Sequence, residues 1–259
     1  MSKQVDYKAQ LRRLYNFSMV LYVTMAIVAA AVMNKVSYQL TVSHLAKDEL
    51  ASQKSAVLVP GTHALFDLRV RLAVVIILLL SAIVPSLYTS RWQKRYQAGL
   101  RKQVLPWRWV DIGVTSALMV EVIAIVSGVQ DIAALKILAG LMIIMSVLGW
   151  LAERAMNEAK KLVKPLLITG LVAGLLPWLL IAVYALATPF YGAVRAAWYV
   201  YALYGSSLVG FGLLMLNEWQ QSHKRKQWKD YRFVEYNYAI INLVNRVAFA
   251  AILIVGLKK

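Results

Sequence analysis

The chain has 259 residues, 60% of them apolar, with 29 Lys and Arg against 12 Asp and Glu and a formal net charge of +17. That apolar share and a positive mean hydropathy place it among membrane proteins before any motif is read. There is no Cys, so disulfides and thiolate metal sites are excluded, and no metal centre is expected.

Apolar stretches of spanning length run near residues 14–33, 70–88, 109–127, 135–152, 165–187, 197–217 and 234–257. At about 1.5 Å per residue each can cross a hydrocarbon core. The expected fold is an all-α membrane protein, a seven-helix transmembrane bundle forming one domain over 1–259. The first stretch is read as a spanning helix and not a signal peptide: it is too long, and no small-residue cleavage site follows before Asn34 and Lys35.

Charge orients the bundle. Lys3, Lys8, Arg12 and Arg13 precede the first span, and Arg91, Lys94, Arg95, Arg101, Lys102 and Arg108 lie between the second and third. Arg154, Lys160, Lys161 and Lys164 follow the fourth, and Lys224, Arg225, Lys226, Lys229 and Arg232 precede the seventh. A chain that weaves brings all of these to one side, which the positive-inside rule makes cytoplasmic. The N-terminus is expected in the cytoplasm, the C-terminus outside, and the protein in the cell membrane. Anionic lipid headgroups account for the positive charge, and no nucleic-acid partner is expected.

The longest loop, residues 34–68, is external by this reading. Its alternating "VSYQLTV" and "SAVLVPG" stretches, flanking turn residues in "AKDELASQK", suggest a short β-ribbon. Pro85 and Pro177 fall inside the second and fifth spans; each removes a backbone donor and is expected to kink its helix. No repeat of helix triplets is visible, which disfavours inverted-repeat transporters.

Of the charged residues within or at the margins of the spans, Asp111, Glu121, Lys136 and Arg246 are singled out. Lys136 is near an outer end and is expected to snorkel. The others are functional candidates by position, because an isolated charge in lipid costs roughly 2.5–3.5 kcal/mol on insertion scales. Depth counted along the helices pairs Arg246 with Glu121. A long side chain leaning towards the helix N-terminus leaves Asp111 within reach as well. Around them Tyr22, Ser116, Met119, Trp178, Tyr201, Tyr204, Phe211, Asn242 and Asn245 are candidate pocket-lining residues. Enzymatic chemistry is not expected. His44, His63 and His223 lie in loops by this reading, and Ser116, Ser206 and Ser207 have no evident base.

Several motifs resemble those of heliorhodopsins, the inverted-topology relatives of microbial rhodopsins. "WKDYRFVEYNYAIINLVNR" resembles the entry to that family's seventh helix, with Trp228, Asp230, Tyr231, Glu235, Tyr238, Leu243 and Val244 at matching places. "PWRWVDIGVTSALM" resembles the start of its third helix, "VLGWLAE" its fourth, "GLLPWLLIAVY" its fifth and "LMLNEWQQ" its sixth. The resemblance implies a rhodopsin-type bundle and a homodimer, and the small residues of "AGLMIIMS" in the fourth span suit close helix approach. It also implies a retinal-bearing Lys two residues beyond "LV" on the seventh helix, where this chain has Arg246, and a Glu counterion after "RWV", where it has Asp111. Histidines typical of the family's first two helices are absent; residues such as Tyr22 and Pro85 occupy those neighbourhoods.

The resemblance therefore favours Asp111 as the partner of Arg246. It implies a chain with no covalent cofactor, acting in signalling, as a scaffold or in regulation beside a cytoplasmic or membrane partner. A non-covalent retinal or a lipid in the interior remains compatible with the sequence. The rival reading is a transporter or channel with Asp111, Glu121 and Arg246 along a polar path.

Overall fold

The computed structural model describes residues 7–47, 58–192 and 195–258. Seven helices in it are long and apolar enough to cross a membrane: α1 (Tyr7–Val32), α2 (Val70–Thr89), α4 (Pro106–Val126), α5 (Ile132–Glu158), α6 (Lys160–Tyr191), α7 (Trp198–Ser222) and α8 (Tyr231–Gly256). In lipid only a helix or a closed barrel satisfies its own backbone, so uninterrupted apolar runs leave no other regular choice. Most helices start or end beyond the apolar runs because polar turns continue them into the interface. Asp131 caps α5 by accepting from Ala133 N (2.9 Å) and Ala134 N (3.0 Å), and Asp230 caps α8 through Arg232 N (2.9 Å). Pro106 opens α4, where its missing N–H costs nothing. The helical pattern continues through Pro85 in α2 and through Pro165, Pro177 and Pro189 in α6.

One helix has no counterpart among the expected elements. α3 (Gln93–Lys102) is a ten-residue piece between α2 and α4. Tyr96 and Leu100, four residues apart, are its buried positions, while Lys94, Arg95, Arg101 and Lys102 surround them. That is the pattern of a helix lying at a membrane surface. Apolar length alone does not detect it.

The first long loop forms an antiparallel ribbon, β1 (Ser37–Lys47) paired with β2 (Leu58–Arg69), with an irregularity between Leu40 and Thr41. His44 and His63 therefore sit on strands. The turn expected in 46–54 lies largely outside the described residues. Leu40 is the ribbon's buried residue. Thr41 N donates to Gln130 O (2.9 Å), and Asp131 Oδ2 accepts from Ser43 N (3.0 Å) and Ser43 Oγ (2.8 Å). One carboxylate thus caps α5 and fastens the ribbon to it.

The hydrogen bonds from Ala134 N and Ser43 hold the Asp131 carboxyl below its ordinary range. A depressed folded-state pKa contributes stability above the unfolded value, about 3.9, that is lost as pH falls through the folded value. Protection factors for hydrogen exchange along β1 should accordingly fall in acid below that range, and Asp131→Ala should show lowered protection already at neutral pH. Unchanged exchange in the variant would mean that the ribbon is held by other contacts.

The spanning helices pack in a ring, α1 against α2 and α8, and onward through α4, α5, α6 and α7 back to α8. α4 is the most enclosed, with 72% of its apolar window buried against 28–44% for the others. Any side chain on α4 near the bundle centre is therefore shielded from lipid. Gly149 of α5 allows the close approach: a Cβ there would run into the Trp109 indole of α4. The outward residues Phe17, Ile27, Leu79, Leu179 and Val183 face the space that acyl chains fill.

Candidate functional site

Arg246, buried on α8, donates from one guanidinium nitrogen to Asp111 Oδ2 (2.8 Å) and Thr115 Oγ1 (2.7 Å). Both acceptors lie on α4, one turn apart. The Thr115 hydroxyl passes its own proton to the Asp111 backbone carbonyl (2.6 Å), so its lone pairs are free to face the cation. The Tyr22 ring of α1 lies 5.9 Å from the guanidinium carbon, within range of a cation–π contact. Arg246 thus ties α8 to α4 and touches α1.

Glu121 is elsewhere. Its carboxylate accepts from Lys136 Nζ (2.7 Å), and the Lys136 side chain is 66% exposed. Depth counting pairs Glu121 with Arg246, but α4 ends at Val126, leaving Glu121 roughly 8 Å from the ribbon end at 1.5 Å per residue. Lys136 reaches outward as expected, and it does so holding a carboxylate.

A second ionic cluster occupies the opposite, basic end of the bundle. Arg108 of α4 forks between Glu153 of α5 and Glu235 of α8. All three side chains are at most 4% exposed. Glu153 also accepts from Leu105 N (3.1 Å), Trp109 Nε1 (3.0 Å) and Tyr231 Oη (2.8 Å). Glu235 accepts from Tyr15 Oη. The guanidinium carbon of Arg108 sits 3.9 Å from the Tyr238 ring centroid.

From sequence, Arg108 counts as one more basic residue in a cytoplasmic loop, and the two glutamates lie at helix margins. The available signal was local: an Arg between two Trp in "PWRWV", and a Glu inside the apolar pattern of "GWLAERAM". Close by, Asn217 of α7 accepts from Trp228 Nε1 (2.9 Å) and donates to Val234 O (3.2 Å), pinning the α7–α8 connection.

The candidate lining residues divide between two small chambers. Tyr22 and Asn242 line one beside Asp111 and Arg246, with a volume of about 20 Å³. Ser116, Met119, Trp178, Phe211 and Asn245 line a second, also about 20 Å³. Each holds little more than one water molecule. Tyr204 packs edge-on against Trp178, centroids 6.0 Å apart, but lines neither chamber. Tyr201 does not belong there. It is 41% exposed, because two residues turn the helix by about 200° and put it opposite the buried Leu203. The second chamber is small because protein fills it: a Cβ on Gly174 would strike Phe211 and Met145, and one on Gly210 would strike Asn245.

Seven spanning helices around a buried cation–carboxylate pair on α8 and α4 make this a rhodopsin-type seven-helix membrane protein. The family model described as Heliorhodopsin matches residues 11–257, nearly the whole chain. The chain belongs to the heliorhodopsin family. No curated protein matches it.

Proposed function

We propose that this heliorhodopsin-family chain works without covalently bound retinal. In this reading it is a seven-helix signalling, scaffold or regulatory protein of the cell membrane, with its N-terminus in the cytoplasm. The observation that carries the reading is the Arg246–Asp111–Thr115 contact. By resemblance, position 246 is where the family's retinal-bearing Lys stands. A guanidinium stays protonated and offers no free amine to condense with an aldehyde. Here one of its nitrogens also bonds a carboxylate and a hydroxyl.

The residues present do not fit retinal. The amine is missing, and the neighbouring chamber, at about 20 Å³, has no room for a polyene beside Trp178 and Phe211. A permanent cation replaces a protonated Schiff base and keeps the charge balance across α4 and α8. The transport reading loses support because Glu121 is paired with Lys136 near the ribbon end, while Asp111 and Arg246 close on each other at 2.8 Å.

Purified protein incubated with all-trans-retinal is expected to give no visible band that survives denaturation as a covalent adduct. A covalent pigment in the unmodified protein would overturn the proposal. Orientation has its own check. A tag before the first span should be unreachable on intact cells, and one after Lys259 should be labelled from outside. The reverse pattern would remove both the charge argument and the inverted topology.

A further inference from the structure

The largest cavity described here lies at the basic end, between α1, α2 and α3, and is distinct from the chambers around Arg246. It measures about 600 Å³ and lies at the end of the bundle that the charge distribution assigns to the cytoplasm. Its lining includes Arg12 and Arg13 of α1 and the amide side chains of Asn16, Gln93 and Gln97. No carboxylate among the described residues lines it. Among the described residues Arg12 and Arg13 form no ion pair, although the chain carries 12 acidic residues.

A second observation points the same way. Tyr88 also lines the cavity; it is 4% exposed, and its hydroxyl has no hydrogen-bond partner among the described residues. A buried hydroxyl left without a partner is costly. A ligand oxygen that reached it, from this cavity or from the chamber beside Arg246 that Tyr88 also lines, would supply one.

We propose that this vestibule is a binding site for a phosphate-bearing anion. Guanidinium groups suit phosphate because their paired N–H donors match its oxygens. The amide side chains add donors and acceptors for hydroxyls on whatever carries the phosphate. The volume exceeds what a halide needs and accommodates a headgroup or a small organic phosphate. Tyr15 and Tyr88 line both this cavity and the chamber beside Arg246. Tyr15 in turn donates to Glu235 of the Arg108 cluster. An occupant would therefore sit one side chain from the interior ion pairs.

Two arms distinguish the source of the phosphate. In the first, protein in neutral phosphatidylcholine nanodiscs is titrated with inorganic triphosphate by calorimetry. In the second, nanodiscs carrying a minor fraction of phosphatidylinositol bisphosphate are extracted and retained lipid is counted by native mass spectrometry. Saturable binding is expected in at least one arm. Changing Arg12→Gln and Arg13→Gln together should weaken it by roughly tenfold or more, the scale of lost charge-assisted hydrogen bonds. Tyr88→Phe, which keeps the ring and the packing, should weaken it less. Lys161→Gln with Lys229→Gln, on the same face outside the vestibule, should leave it unchanged.

Triphosphate binding alone assigns a soluble ligand, and lipid retention alone assigns a headgroup. No saturable binding in either arm overturns the proposal. Equal weakening by the control pair also overturns it, since that is diffuse attraction to a basic face and not a site.

Discussion

Arg246→Met is expected to destabilise the protein by roughly 3–5 kcal/mol, the usual cost of breaking a buried ion pair by removing one partner. Thr115 keeps the hydrogen bond its hydroxyl donates to the Asp111 carbonyl, but Asp111 is left as an uncompensated carboxylate among Tyr22, Pro85 and Asn242. A second change, Asp111→Asn, should recover much of the loss, because the stranded charge is then gone and the amide still has the small chamber to bond into. Glu121→Gln in the same background should recover nothing, since its partner is Lys136. The measurement is thermal or denaturant unfolding in mild detergent, as a double-mutant cycle. Recovery by Glu121→Gln and not by Asp111→Asn would place the true partner elsewhere. Arg246→Lys should be tolerated better than Met, because it keeps a cation on α8 facing Asp111.

How far the sequence alone reaches depends on which physical signal each feature carries. Spanning helices are legible because lipid imposes length and apolarity together, and the starts near Val70 and Trp198 were visible to within a residue. The ends of α5 and α6 were not, because Glu153 to Glu158 and Lys160 to Lys164 are polar, and hydropathy stops counting where helix does not. α3 was hidden for the same reason: a ten-residue amphipathic surface helix has no apolar run to find. Among site residues, the unusual ones were easy to nominate, since a charge in an apolar run stands out. What could not be read was which charges meet. Helices of unequal length start at different levels, so residue counts from their ends are poor measures of relative depth. Arg108, Glu153 and Glu235 escaped because each looks like an interface residue when taken singly. Only the packing of α4 between α5 and α8 makes them one cluster.

That cluster should be the more sensitive of the two. Arg108→Met removes the cation from between two carboxylates, both buried, so the expected loss exceeds that of Arg246→Met and little folded protein should be recovered at ordinary temperature. The two glutamates, however, are not left in the same state. Glu153 keeps three donors, from Leu105 N, Trp109 Nε1 and Tyr231 Oη, and a carboxylate accepting several hydrogen bonds is well stabilised without a counter-charge. Glu235 keeps Tyr15. In the Arg108→Met background, Glu235→Gln should therefore restore more folded protein than Glu153→Gln. The latter exchanges an acceptor for an amide whose N–H groups face existing donors, so it should be harmful by itself. Size-exclusion yield and unfolding temperature across the four variants read this directly. Equal rescue by the two glutamine changes would mean that Arg108 alone satisfies both carboxylates. Better rescue by Glu153→Gln would mean that the three donors around Glu153 do not hold it, and that Arg108 is chiefly its partner.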